Sequence, residues 1–308
     1  MKDDIVVYHW FGCNSDAPPY ANLRAPVVVS IATLRAVSDI PIFLMDISGQ
    51  PNDWGDFDKK LNFRVLRPEP HLLSYKAFAG WHHLSRLFDL RRYAKTQGGR
   101  VVYSDADVFW LKEPSLSGPE DKFCFDGYNT GFFYYGDQQI ERFFEVFEAY
   151  TISALNSPEL RKVLMKHVGY TPWHYVWDEM ITTYMAIENK ELIHRIPHEE
   201  HGSPRRFHAT NLNKMDNLHL NGVYVRNPMS NKEGEREHCR GLAGLIFSEF
   251  YKSLKATLGD DVQKVFNKQE LQFGLKQQFS ILEEPHKLLN TLREDGHYEL
   301  GKETIMLI

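Results

Sequence analysis

The sequence predicts an α/β fold: a mostly parallel, doubly wound sheet flanked by helices, followed by a helical extension. Two observations predict it. Short β-type runs alternate with helical segments through the first hundred or so residues, the order in which a parallel sheet is built because each crossover carries a covering helix. The run Val101-Val102-Tyr103-Ser104 is apolar enough for a buried strand, and it ends in Asp105 and Asp107.

Each element has its own signal. Ile5 to Trp10 is a β-type run that breaks at Phe11-Gly12, a first strand and turn. Residues 26–37 read as a helix, and Ile40 to Met45 as a second strand closed by Asp46 and Gly49. Asn62 to Leu66 is a third short strand, stopped by Pro68 and Pro70. Trp81 to Lys95 carries Leu84, Leu87, Phe88, Leu90 and Tyr93 at helical spacing, and Gly98-Gly99 ends it before the strand that delivers the aspartates. Cys124 to Tyr135 is extended, with breaks at Gly127 and Gly131. Residues 140–155 and 178–187 are helical, 199–213 form a polar, basic loop, and 218–225 make the last strand. From residue 231 the composition shifts to charged, helix-favouring residues, with Leu242, Leu245, Ile246, Phe250 and Leu254 on one stripe. The expected organisation is a domain over 1–230 and a helical extension over 231–308 packed on it.

Composition narrows the function classes. With 43% hydrophobic and 25% charged residues the chain is an ordinary globular protein. A formal net charge of −5 argues against broad binding to nucleic acid or anionic membrane. Cys13, Cys124 and Cys239 form no CxxC pair, which predicts reduced thiols rather than a disulfide framework or zinc site. No charged-then-apolar leader and no apolar span of about 18 residues stands out, so the expectation is a soluble, cytoplasmic protein.

Asp105 and Asp107 carry the chemistry. On an extended segment residues i and i+2 point to one side, so two carboxylates can aim at one point past the strand end. Such charges repel unless a cation lies between them, and a hard divalent ion is the usual partner. The carboxyl end of a parallel sheet is also where α/β proteins place ligands. The plainer alternative is a loop in which aspartate caps the next turn.

Tyr103-Ser-Asp-Ala-Asp-Val-Phe-Trp-Leu-Lys-Glu-Pro114 resembles the DxD segment of the GT-A glycosyltransferases, nucleotide-sugar enzymes, and the glycogenin-type, family 8- or 32-like members in particular. Leu84-Ser-Arg86-Leu-Phe resembles the family's Arg-Leu helix, and Asn129-Thr-Gly-Phe its Asn-Ser/Thr-Gly turn. His219-Leu-Asn-Gly222 with Arg226-Asn-Pro228 is similar to the late His-x-x-Gly-x-x-Lys-Pro element, with one extra residue and Arg in place of Lys. The resemblance spans about residues 5–228, and residues 231–308 resemble nothing familiar.

The resemblance implies a Rossmann-like GT-A domain and a site of known parts. Asp105, Asp107 and His219 become the metal ligands. The nitrogen donor favours Mn²⁺, with Mg²⁺ the alternative. Arg86 and Arg226 become donor contacts, Gly222 admits a backbone N–H to the diphosphate, and Asp105 also faces the donor. Lys76 is a further basic candidate from the residues alone. Asp126 and Asn129 are candidates for the donor sugar's hydroxyls. Tyr8 or Trp10 can stack on the base or simply fill the core, and Asp46 can meet the ribose or merely end its strand. Asp178 or Glu179 can act as base or orienting carboxylate near the acceptor, or only favour a helix N-terminus. His198, His201 and His208 read as loop residues.

The expected activity is metal-dependent transfer of a sugar from a UDP-sugar, or less readily a GDP-sugar, to a hydroxyl of a glycan or other acceptor, with retention of configuration. Two other readings stand beside it. A nucleotidyltransferase making the sugar nucleotide would need a Gly-rich loop near the first strand, where residues 8–16 offer only Gly12. A silent sugar-binding scaffold would be expected to lose metal ligands.

Overall fold

The computed structural model describes residues 3–10, 24–47, 54, 57–68, 81–106, 108–157, 159–160, 162–164, 178–202 and 214–219. Lys76, Asp107, Gly222 and Arg226 lie outside these residues, as do Gly12, His208 and the expected extension over 231–308.

The main sheet has seven strands in the order β3-β2-β1-β4-β7-β6-β8. They are β1 (Ile5–Trp10), β2 (Ile42–Asp46), β3 (Phe63–Leu66), β4 (Arg100–Ser104), β6 (Phe123–Phe125), β7 (Phe132–Gly136) and β8 (Ile193–Arg195). A separate antiparallel pair joins β5 (Val108–Trp110) to β9 (Asn217–His219). The helices are α1 (Arg24–Arg35), the short α2 (Phe57–Lys60), α3 (Trp81–Tyr93), α4 (Glu141–Asn156) and α5 (Asp178–Glu188). The sheet is mostly parallel: β1–β2, β2–β3, β1–β4 and β6–β8 run parallel, while β7 is antiparallel to both β4 and β6. The extended stretch expected over 124–135 is thus two antiparallel strands, divided by the turn at Asp126 to Gly131.

Both faces of the sheet are covered, which is why its central strands are mostly apolar. All six residues of β1 are buried. Alternation along β1 sends Val6, Tyr8 and Trp10 to a core shared with Val27, Val28, Ile31 and Leu34 of α1. Val7 turns to the opposite core, with Tyr103, Phe133 and the α3, α4 and α5 residues Leu87, Phe143 and Met180. On that second face His9 Nε2 lies 3.0 Å from Asp89 Oδ2, both buried, and this pair pins α3 to the end of β1. Asp89 is three residues beyond Arg86, so the same contact fixes the height of Arg86 above the sheet. Among the described residues, no helix is long and apolar enough to cross a membrane.

Candidate functional site

The site begins where β4 ends. Asp105 N donates to Gly131 O at 2.7 Å and Val108 N to Asp105 O at 3.2 Å. Ala106 thus lies in a turn after β4, closed by the Val108 N–H on the Asp105 carbonyl. The chain then enters β5, whose Val108 stands opposite His219 of β9. Residues more than a hundred positions apart in the chain meet at the carboxyl edge of β1 and β4.

Arg86 organises the interior of this edge. It is 3% exposed and sits over the Tyr103 ring, 4.7 Å from its centroid. Its Nε donates to Asp178 Oδ2 at 2.6 Å, Nη1 to Tyr103 Oη at 2.9 Å and Asp105 Oδ1 at 2.7 Å, and Nη2 to Thr130 Oγ1 at 2.6 Å. Tyr103 Oη also donates to the same Asp105 oxygen at 2.5 Å. Burial by itself would lower the guanidinium's pKa; Asp178, then Tyr103 and Asp105, outweigh it and hold Arg86 well above its ordinary value. These partners turn Arg86 inward. There it holds the carboxylates of Asp105 and Asp178 in place.

Asp178 opens α5 and is 1% exposed. Burial pushes its carboxyl above the ordinary range and Arg86 pulls it back. With a guanidinium at 2.6 Å the carboxylate stays charged. Its other oxygen accepts the Glu179 backbone N–H at 2.8 Å. Asp178 is therefore enclosed, while neighbouring Glu179 is only half-buried and is the better placed of the two to meet a substrate.

The segment from Asp126 to Gly131 is a chain of local devices. Asp126 Oδ1 accepts N–H groups from Tyr128 at 2.7 Å and Asn129 at 2.6 Å, and Asn129 Oδ1 accepts that of Gly131 at 2.7 Å. Both side chains shape the turn; Asp126 is fully buried and Asn129 half-buried. Gly131 then makes room. A Cβ there would stand 2.6 Å from His219 Nδ1, and nearer still to Cε1, so only glycine admits the imidazole at this height.

His219 is 4% exposed, and its Nε2 lies 3.8 Å from Asp105 Oδ2. Ligands bound at about 2.1 Å can stand up to about 4.2 Å apart on one ion. The carboxylate and imidazole therefore fit a shared divalent cation, with the mixed oxygen and nitrogen set that Mn²⁺ accepts. Among the described residues no group of three His, Cys, Asp or Glu is gathered closely enough to hold an ion; Asp107 is outside them.

Tyr8 serves the core. It is 1% exposed, shares a hydrogen bond with Ser30 Oγ at 2.9 Å and accepts one from Trp110 Nε1 at 3.1 Å. Its ring is packed inside the core beside α1. Trp10 packs edge-on to Trp54, centroids 5.4 Å apart, and its buried Nε1 has no hydrogen-bond partner among the described residues. Asp46 accepts from Trp54 Nε1 at 3.3 Å and has Arg67 Nε at 3.9 Å.

One residue outside the helices and strands is nonetheless turned into the interior. His201 is fully buried, its ring 5.4 Å from that of His219 and 5.3 Å from that of Phe132. The surrounding segment is strapped down: Asp216 N donates to Glu199 O at 2.7 Å, Gly202 N to Asn217 O at 3.1 Å and His219 N to Gly202 O at 3.0 Å. Glu200 accepts from Ser117 N at 3.1 Å, from the Ser117 hydroxyl and from Tyr134 Oη at 2.7 Å. The sequence signal was hidden because His201 opens a basic, polar stretch; only the pairing with β9 turns it inward.

No family model matches the chain, and no curated protein sequence does. Solved structures do align with it. Mouse xyloside xylosyltransferase 1 in its apo form is 12% identical over 71% of this chain and 98% of its own, with a TM-score of 0.44. The galactosyltransferase LgtC, in complex with donor and acceptor sugar analogs, is 14% identical over 81% and 99%, with a TM-score of 0.46. The glycosyltransferase GlyE of Streptococcus pneumoniae is 11% identical over 75% of this chain and 57% of its own, also at 0.46. All three are glycosyltransferases; likeness at this level decides nothing about this chain's chemistry.

Proposed function

We propose that the chain is a metal-dependent glycosyltransferase of GT-A type that moves a sugar from a nucleotide-sugar donor, a UDP-sugar before a GDP-sugar, to an acceptor hydroxyl with retention. The observation that carries this reading is the approach of Asp105 Oδ2 to His219 Nε2, 3.8 Å apart at the carboxyl edge of the parallel strands. Asp107 is assigned as the third ligand. A bound divalent ion there would neutralise the charge growing on a departing nucleoside diphosphate.

The chain's own groups have distinct tasks. Arg86 neutralises and aligns Asp105 and Asp178, so neither carboxylate must rearrange when the donor arrives. Glu179 faces the acceptor and orients its hydroxyl. The turn at Asp126 to Gly131 sets the height of His219 and presents Asn129 to the donor sugar. Trp10 Nε1 offers a donor at the end of β1 for a base or ribose oxygen. Lys76, Gly222 and Arg226 are assigned to the diphosphate.

A panel of UDP- and GDP-sugars with Mn²⁺, followed for donor hydrolysis and for transfer to hydroxyl acceptors, tests the proposal. Turnover of one donor that stops in EDTA and in Asp107→Ala is the expected result, with the product anomer matching the donor. Undiminished turnover in EDTA would remove the metal from the reaction. Formation of sugar nucleotide from a nucleoside triphosphate would establish the nucleotidyltransferase reading instead.

A further inference from the structure

The groups around His219 include a second imidazole with a fixed orientation. Asn217 Nδ2 donates to Glu200 O at 2.8 Å, so its Oδ1 is the atom facing His201, and His201 Nδ1 lies 2.9 Å from it. A carboxamide oxygen can only accept, so His201 Nδ1 carries the hydrogen and donates it. The ring is thus held as the Nδ1–H tautomer. Its faces are equally constrained, with the Phe132 ring tilted by 31° at 5.3 Å and the His219 ring tilted by 37° at 5.4 Å. Asn217 and His219, two residues apart on β9, lie on one face of that strand. His201 therefore braces the face that carries His219, while Gly131 bounds the same imidazole on another side.

We infer that His201 is a positioning residue for His219: locked by Asn217, its ring is a spacer that holds the His219 imidazole with Nε2 towards Asp105. Outer partners that orient a ligating imidazole alter metal affinity when removed, although they touch no metal themselves. The hydrogen-bonded face continues outward through Glu200 to Ser117 and Tyr134, so the brace is anchored in the main sheet through β7. The role rests on the proposed cation site, and its test separates the two.

Three measurements decide it. Histidine nitrogen chemical shifts of the metal-free protein should show a hydrogen on His201 Nδ1; a ring without one there would overturn the brace whatever the metal does. Titration with Mn²⁺ alone, followed by the loss of its free-ion paramagnetic resonance signal, should show binding to the wild type. His201→Ala should bind about 10- to 100-fold more weakly. His201→Phe, which restores a ring of similar size between Phe132 and His219, should recover most of that loss and keeps the test alive if the alanine variant unfolds. Wild-type Mn²⁺ affinity in a folded His201→Ala protein overturns the inference and leaves the cation site standing. Absence of Mn²⁺ binding by the wild type removes the cation site itself, while the nitrogen shifts still judge the brace.

Discussion

Gly131 lies under the His219 ring so closely that a methyl group at its Cα would stand 2.6 Å from Nδ1. The same glycine accepts the Asp105 N–H through its carbonyl at 2.7 Å, so one residue sets both the carboxylate and the imidazole of the candidate site. Gly131→Ala should therefore push the ring away from Asp105. The expected outcome is an unchanged far-ultraviolet circular dichroism spectrum with Mn²⁺ affinity reduced about 10- to 100-fold. Wild-type affinity, read by calorimetric titration, would show that the ring can move without cost.

Arg86 stands between two buried or half-buried carboxylates. Arg86→Met leaves Asp178 without a counter-charge, and breaking a buried pair from one side costs about 3–5 kcal/mol. Urea unfolding should show a loss of that order. Adding Asp178→Asn removes the stranded charge and should return part of it. A loss no smaller in the double variant would mean that Asp178 is not the group Arg86 serves.

The Tyr8 hydroxyl satisfies Ser30 and Trp110 inside the core. Tyr8→Phe should cost on the order of 1–3 kcal/mol for the buried groups left behind. Donor KM should not change. A weakened donor affinity with intact stability would place the hydroxyl in the binding site after all.

Cys124 is buried, and burial, with Glu200 adding to it, pushes its thiol up to about 12. At pH 8 it is held as the protonated thiol, so peptide mapping after iodoacetamide treatment should find it unmodified in the native protein and alkylated in urea. A sign follows for stability. A raised folded-state pKa contributes stability that is complete below the thiol's ordinary value of 9.0 and is lost as the pH rises from there to about 12. Cys124→Ala should therefore lose less stability than the wild type across that alkaline window. Parallel curves would show that the thiol does not titrate with unfolding.

The strands and helices were legible because their signals are local. Ile5 to Trp10 and Val101 to Ser104 are mostly apolar and wholly buried, as strands covered on both faces tend to be, and Leu87 and Leu90 mark the buried side of α3. Strand direction was not legible: nothing in Phe132 to Gly136 says that β7 runs against β4, since a buried antiparallel strand is as apolar as a parallel one. The extended and turn readings at Asp105 stood side by side for a related reason, because Asp-x-Asp at a strand end fits both equally well. Arg86 and His219 drew notice by their neighbours in sequence, whereas their partners, Thr130, Asp178 and Gly131, are set by sheet order. His201 left no signal, because its burial depends on a pairing with Asn217 sixteen residues later in the chain.

The two-stranded ladder of β5 with β9 has a consequence for how the protein comes into being. Its first strand leaves the ribosome about a hundred residues ahead of its second, and the seven strands of the larger sheet are all complete by Arg195. A nascent chain can therefore acquire most of its architecture while Asp105 still waits for the imidazole opposite. The edge where Asp105 meets His219 is therefore the last part of the described architecture to be synthesised.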